Sequence, residues 1–231
     1  MPLQTNKYKL YLYLFFFIFL TSIFNFKILD NYQEKFSLKK IYIYGLSNNE
    51  KQSIEIELNK LRNINIFKLT EDRVLKTLKK FNFLENIYVN KVIPSTININ
   101  LSKTLIVGKT LRKTEYFYIG KNGNFIKSNQ LKEVINIPLV FGEFTIKEYI
   151  DLQNILSENG VDLQNIKKYF YYKNKRWDLL FSNESTLKLP SQNVDKSIKI
   201  YKKLLDSDNL INKKIIDLRI TNQIILTSYN E

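Results

Sequence analysis

The chain has 231 residues, with 36 Lys plus Arg against 22 Asp plus Glu and a formal net charge of +14. It has no His and no Cys, which excludes His-based triads, thiol nucleophiles, disulfides and structural zinc, and leaves a metal only oxygen ligands. The basic balance does not indicate nucleic acid: 31 cations are Lys and 5 are Arg, and no run reaches five like charges. The chain also lacks Ala and is rich in Lys, Asn and Ile, a composition that AT-rich codons produce.

Residues 10–26 (LYLYLFFFIFLTSIFNF) carry no charge over 17 positions, with Lys9 and Lys27 on either side. A helix of that length reaches about 26 Å, near the lower limit for a hydrocarbon layer of about 30 Å, and flanking lysines can snorkel to extend it. No small-x-small cleavage site follows, so the expectation is an uncleaved signal anchor at 10–28 behind a tail at 1–9, and not a cleaved signal peptide. Lys7 and Lys9 on one side, with Lys27, Lys35, Lys39 and Lys40 on the other, leave the orientation undecided.

Residues 39–44 (KKIYIY) alternate as a strand, and Gly45, Leu46 and Ser47 turn the chain. Ile54, Leu58 and Leu61 then recur at helical spacing. Thr70 is an N-cap candidate, followed by Glu71 and Asp72 in the first turn and an apolar stripe of Val74, Leu75, Leu78 and Phe81. Residues 86–92 read as a strand, Pro94 and Ser95 as a turn, and 96–101 as a strand expected to run on toward Val107. The order is β-α-α-β-β.

Beyond Lys109 a hairpin is expected around Gly120 and Gly123, then an extended run at 137–143. A helix marked by Tyr149, Leu152, Ile155 and Leu156 closes at Asn159-Gly160. Strands follow at 168–172, 176–181 and 186–189, the last stopped by Pro190. Val194, Ile198, Tyr201 and Leu205 form a second helical stripe, and 215–220 and 224–228 finish the chain as strands. Trp177 is expected to anchor this core.

The unit at 36–108, with IYIYGLSN on its first strand and FNFLENIYVNKVIPSTININL on its last two, resembles a POTRA domain. Three later segments resemble the bacterial cell-division FtsQ/DivIB family in their order: IPLVFGE (137–143), KRWDLLFSN with LKLP (175–190), and IDLRITNQIIL (216–226). The E-R-x-P signature that many relatives carry between the two domains is absent from 101–107.

The resemblance implies an α+β protein: one N-terminal transmembrane helix, a POTRA domain at 36–108 and a mixed β-rich domain with flanking helices at 109–231. It implies a non-enzymatic scaffold of the divisome with no cofactor and no small-molecule substrate. The tail would be cytoplasmic and the bulk periplasmic, a single-pass type II protein of the cell inner membrane at the septum. FtsB, and through it FtsL, would be the partners, one adding as a strand to the last strand of the β domain.

The segment at 217–226 is therefore the candidate site. The backbone from Leu218 to Leu226, including Ile224 and Ile225, is expected to pair with the partner, with Ile220, Asn222 and Gln223 at the contact. Asp217 and Arg219 alternate on one face and would pair with neighbours. Lys175 and Arg176 would attract acidic groups of a partner helix. The alternative is an ordinary internal strand pair with Thr221, Asn222 and Gln223 as its turn. Two other classes stand against the scaffold. One is a POTRA-containing export or assembly chaperone, although only one such unit and no repeat is present. The other is a membrane-anchored Ser/Lys hydrolase, for which Ser37 and Lys40 supply only the bare spacing.

Overall fold

A computed structural model describes residues 7–22, 33–132, 134–207, 213–220 and 223–228. It begins with α1 (Lys7–Ser22), an apolar helix whose side chains from Leu10 to Leu20 are all exposed. Among the described residues no helix is long and apolar enough to cross a membrane. The segment expected as an anchor, 10–28, continues past Ser22 into residues outside those described.

The first globular unit comprises β1 (Lys40–Tyr44), α2 (Asn48–Leu58), α3 (Glu71–Leu78), β2 (Leu84–Val92) and β3 (Thr96–Lys103). The sheet order is β1-β3-β2, with β1 parallel and β2 antiparallel to the central strand. Gly45 makes the turn from β1 possible: its φ is +88°, and a Cβ there would lie 2.0 Å from the Leu101 carbonyl oxygen. A capping box starts α2, the Glu50 carboxylate accepting from Ser47 N at 3.1 Å and Ser47 Oγ at 2.7 Å. Thr70 Oγ1 caps α3 by accepting from Arg73 N. Ile54, Leu58, Val74 and Leu78 from the helices bury against Ile43, Ile97, Ile99 and Leu101 of the sheet. Leu75, expected in the same stripe, is instead 37% exposed, because it lies one position off the buried Val74–Leu78 line.

The third strand stops earlier than expected. β3 ends at Lys103, and after two residues β4 (Ile106–Arg112) enters a second sheet. Thr104, between them, is buried and donates its N–H to the Phe83 carbonyl. The strand β4 thus runs through positions 108 and 109, where the two domains were expected to meet.

The second unit continues with β5 (Glu115–Gly120), β6 (Phe125–Lys127), β7 (Leu139–Phe141), α4 (Ile146–Glu158), β8 (Ile166–Tyr171), β9 (Trp177–Phe181), β10 (Thr186–Lys188), α5 (Val194–Asp206), β11 (Lys213–Asp217) and β12 (Ile225–Ser228). They form a nine-stranded sheet in the order β12-β11-β10-β9-β8-β7-β4-β5-β6. The helices α4 and α5 cross between parallel neighbours, β7 to β8 and β10 to β11. Their inward residues Tyr149, Leu152, Leu156, Ile198 and Tyr201 share one core with Tyr169, Leu179, Leu187 and Ile216 of the strands. Trp177 sits in the middle of it, its ring 4.7 Å from Tyr171, 5.8 Å from Phe144 and 6.0 Å from Tyr149.

The two sheets are joined by packing as well as by the chain. Tyr118 and Ile126 of the second sheet are buried in the core of the first unit. Asn122, at the β5–β6 turn, donates from Nδ2 to the carbonyls of Asn82 (3.0 Å) and Leu84 (3.2 Å), and its own N–H goes to Thr104 Oγ1. Asn82 returns a bond to the Phe125 carbonyl at 3.2 Å. Replacing Asn122 with Ala removes both donated hydrogen bonds, at about 0.5–1.5 kcal/mol each. The expected result is a lower urea midpoint and faster amide exchange in β2 and in β5–β6.

Candidate partner-binding edge of the nine-stranded sheet

The site grows out of β9, β10, β11 and β12. Pro190 ends β10 after three paired residues, and α5 carries the chain across to β11. β11 then lies parallel to β10, with Leu187 opposite Ile216 and Lys188 opposite Asp217. Leu218 keeps one more ladder bond, its N–H to the Lys188 carbonyl at 2.9 Å, and the chain departs. Gln223 N donates to Ile220 O at 3.2 Å, and β12 then lies antiparallel to β11 with Ile225 opposite Asp217 and Leu226 opposite Ile216. The last strand therefore ends the sheet: β12 has β11 on one side and, among the described residues, no strand on the other.

This layout divides the expected contact residues. Ile220, Gln223, Ile224 and Ile225 are exposed at the turn and along β12, and Leu226 is half-buried. Asn222 lies outside the described residues. Asp217 and Leu218 are buried, and the Leu218 N–H is already taken by β10, so the backbone expected to pair from 218 onward begins inside the sheet, and β12 is the strand that lies at its end. The reason is topological: the parallel return through α5 places β11 inside the sheet and leaves the final strand at the rim.

Asp217 and Arg219 do not pair with separate neighbours. They hold each other: Arg219 Nε donates to Asp217 Oδ1 at 2.8 Å and Oδ2 at 2.9 Å, Nη2 reaches Oδ2, and Arg219 N donates to Oδ1 at 3.1 Å. These hydrogen bonds from Arg219 hold the Asp217 carboxyl below the usual carboxylate range, against the effect of its burial. In register with Asp217 stand Lys188 on β10 and Asp178 on β9, a row of alternating charge across three strands. Asp178 is only 5% exposed; its Oδ1 accepts no hydrogen bond and lies 3.9 Å from Arg176 Nε. Burial pushes its carboxyl up, in opposition to Arg176, Tyr172, Lys188 and Arg219. Arg176 also lies over the Tyr172 ring, 4.5 Å from its centroid.

Lys175 occupies the β8–β9 turn with φ +61°, exposed, and its charge acts on Glu148 at the start of α4. It projects from the end of β9, three strand spacings or about 14 Å from β12. Only a partner extending well beyond an added strand would meet it.

On the helix side of the turn lies a groove of about 210 Å³, lined by Pro190, Lys196, Ile200, Leu218, Ile220 and Ile224 with Gln192, Asn193 and Gln223 at its rim. Its lining holds one cation and no acid. Lys196 and Ile200 were not expected as site residues. Their one visible signal was a position off the core stripe of α5, beside Ile198. Among the described residues no group of His, Cys, Asp and Glu is placed to hold a metal ion.

A β-α-α-β-β unit whose core takes in side chains of a nine-stranded sheet defines an assembly of the POTRA-plus-β-domain class. Residues 36–103 match the model described as POTRA domain, FtsQ-type, and residues 110–219 match Cell division protein FtsQ/DivIB, C-terminal. The chain belongs to the FtsQ/DivIB family of bacterial cell-division proteins. It is similar to the cell division protein FtsQ of Rickettsia bellii (strain RML369-C), with 26% identity over 196 residues, 84% of this chain and 73% of the relative. The FtsQ of Rhizobium radiobacter is 22% identical over 178 residues, 74% of this chain and 85% of that one. Among solved structures, the major extracytoplasmic domain of DivIB from Geobacillus stearothermophilus aligns with a TM-score of 0.34 and 13% identity, covering 47% of this chain and 98% of that one. The edge strand β12, at 225–228, lies beyond the matched span that ends at 219.

Asp217 supplies a pH test. Its folded pKa is depressed, so the stabilisation it brings is complete above its unfolded value of about 3.9 and is lost as pH falls through the folded value. Arg219→Ala leaves a buried carboxylate without its fork, at a cost of about 1–3 kcal/mol near neutral pH. Chemical denaturation between pH 2 and 7 should show this gap narrowing as the carboxyl takes up its proton.

Proposed function

We propose that this protein is a membrane-anchored scaffold of the division machinery that takes a partner by adding its strand to β12. The observation that carries the reading is the single strand neighbour of β12 among the described residues: along 225–227 one side of this last strand faces no other strand of the sheet. FtsB, and through it FtsL, is the partner named by the resemblance. The exposed Ile220, Ile224 and Ile225 and the apolar residues of the adjoining groove would receive its side chains, and Lys175 and Arg176 would meet acidic groups only of a partner that extends past the added strand.

In this reading 10–28 crosses the inner membrane, 1–9 remains in the cytoplasm, and the POTRA unit (36–108) and β domain (109–231) stand outside at the septum. The character of α1 supports the anchor: ten or more consecutive apolar side chains lie exposed on every side, a surface that water does not favour and a bilayer does. The scaffold reading involves no catalysis, in keeping with a family of cell-division proteins.

The test is capture of the extracytoplasmic part of FtsB by the full chain in detergent, with Pro placed in turn at Ile225, Leu226 and Thr227. Successive N–H groups of a strand point to opposite sides. The expected result alternates: proline at outward positions abolishes capture with little change in stability, and at inward positions loosens β12 from β11 as well. Ile220→Glu should weaken capture at least tenfold, about 1.4 kcal/mol or more. Full capture by every variant would refute strand addition at this edge.

A further inference from the structure

We infer that a second feature, the loop before α3, is a membrane-surface contact: Phe67, packed against Phe36 and flanked in sequence by Lys35 and Lys68, seats in the headgroup layer of an anionic phospholipid bilayer. This rests on the anchor reading above.

The loop is built to present its aromatic ring. Asn65 Oδ1 accepts from Phe67 N at 2.9 Å, and its carbonyl accepts from Lys68 N at 2.9 Å and Leu69 N at 3.0 Å. The segment pairs with the chain leading out of α1: Ile66 N donates to Phe36 O at 2.8 Å, Leu38 N to Ile64 O at 2.9 Å, and Ser37 bridges Asn65. Phe67 is nevertheless 62% exposed, its ring 5.3 Å from that of Phe36. Ile66 and Leu69, its apolar neighbours in sequence, are fully buried, so the loop has sorted its side chains and turned this one outward.

Charge and tethering identify the occupant. Residues 33–39 and 62–70 carry Lys35, Lys39, Arg62 and Lys68 against one acid, Glu34, which pairs with Lys39 at 3.4 Å. Glu71 and Asp72 follow at the start of α3, Asp72 paired with Lys76 at 2.7 Å. An aromatic ring among cations suits the interface of an anionic membrane. Only ten residues separate Ser22, the end of α1, from Gln33, three positions before Phe36. At no more than about 3.6 Å per residue, Gln33 lies within about 40 Å of a bilayer holding α1, and the loop packs on the chain three residues further on, so an intrinsically weak contact acts at high effective concentration.

The experiment uses the full chain reconstituted into vesicles of phosphatidylglycerol and phosphatidylcholine with brominated acyl chains. Trp177, the one native Trp, is buried in the β-domain core and gives the background. In the Phe67→Trp variant the added emission should shift to the blue and fall about twofold in brominated vesicles. The shift should weaken when Lys35 and Lys68 are both changed to Gln, or when phosphatidylglycerol is omitted. The control is Leu111→Trp, at a comparably exposed apolar position on β4, whose added emission should not be quenched. Protein that sediments with the vesicles in high salt, while the emission added by Phe67→Trp stays unquenched, overturns this contact and leaves the anchor standing. Equal quenching in both variants also overturns it, as unspecific adsorption. Failure to sediment overturns the anchor reading, and this inference with it.

Discussion

A strand at the end of a sheet satisfies half of its backbone and leaves the other half to water or to another chain. The nine-stranded sheet has two such rims, and the protein treats them differently. At one end, β6 is three residues long, tied to the first unit by the bond from Asn82 to the Phe125 carbonyl and by burial of Ile126 in that unit's core. At the other end β12 has no further strand beside it among the described residues. The contrast between a β6 tied to the first unit and an end strand with one strand neighbour supports the proposal that a partner attaches at this end.

In the proposed attachment a short end strand would offer few hydrogen bonds, and each net bond contributes only about 0.5–1.5 kcal/mol. Side chains must therefore add affinity and fix register. The row Asp178–Lys188–Asp217 brings buried charge to the approach to this rim, and its two carboxyls differ in sign of effect. Asp217 is stabilised in its ionised form by the Arg219 fork, whereas Asp178 is burdened by burial with an oxygen that accepts no hydrogen bond. A buried ion pair contributes less to stability than to geometry. Here it fixes the Arg219 guanidinium immediately before the turn that leads into β12.

The edge is also held in a fixed relation to the first unit. Tyr118, Ile126 and Asn122 come from the β5–β6 hairpin yet complete the core and hydrogen bonding of the POTRA unit. The two family-matched regions consequently share buried side chains across the junction, and the helical layer of the first unit does not stand apart from the sheet that ends in β12.

Periodicity and turn chemistry were enough to place most elements of both units, though not β4, whose residues read in the sequence as the end of one strand and the start of the next domain. Ile97, Ile99 and Leu101 alternate because one face of β3 is buried; Thr70 and Ser47 cap because helix N-termini need acceptors; Pro190 stops β10 because it has no N–H to give. The apolar run at 10–26 and the order of segments from 137 to 226 were equally visible, and they carried the family. What no local pattern contains is which strand lies beside which. That Leu218 is spent on β10, that Asp217 is interior and closed on Arg219, that Thr104 ends one sheet before β4 starts the next, and that Lys196 and Ile200 line a groove with Ile220 all depend on contacts between residues distant in sequence. Spacing along a chain decides which face of an element is apolar. Only the packed arrangement, which settles how many neighbours each strand receives, decides which edge remains free.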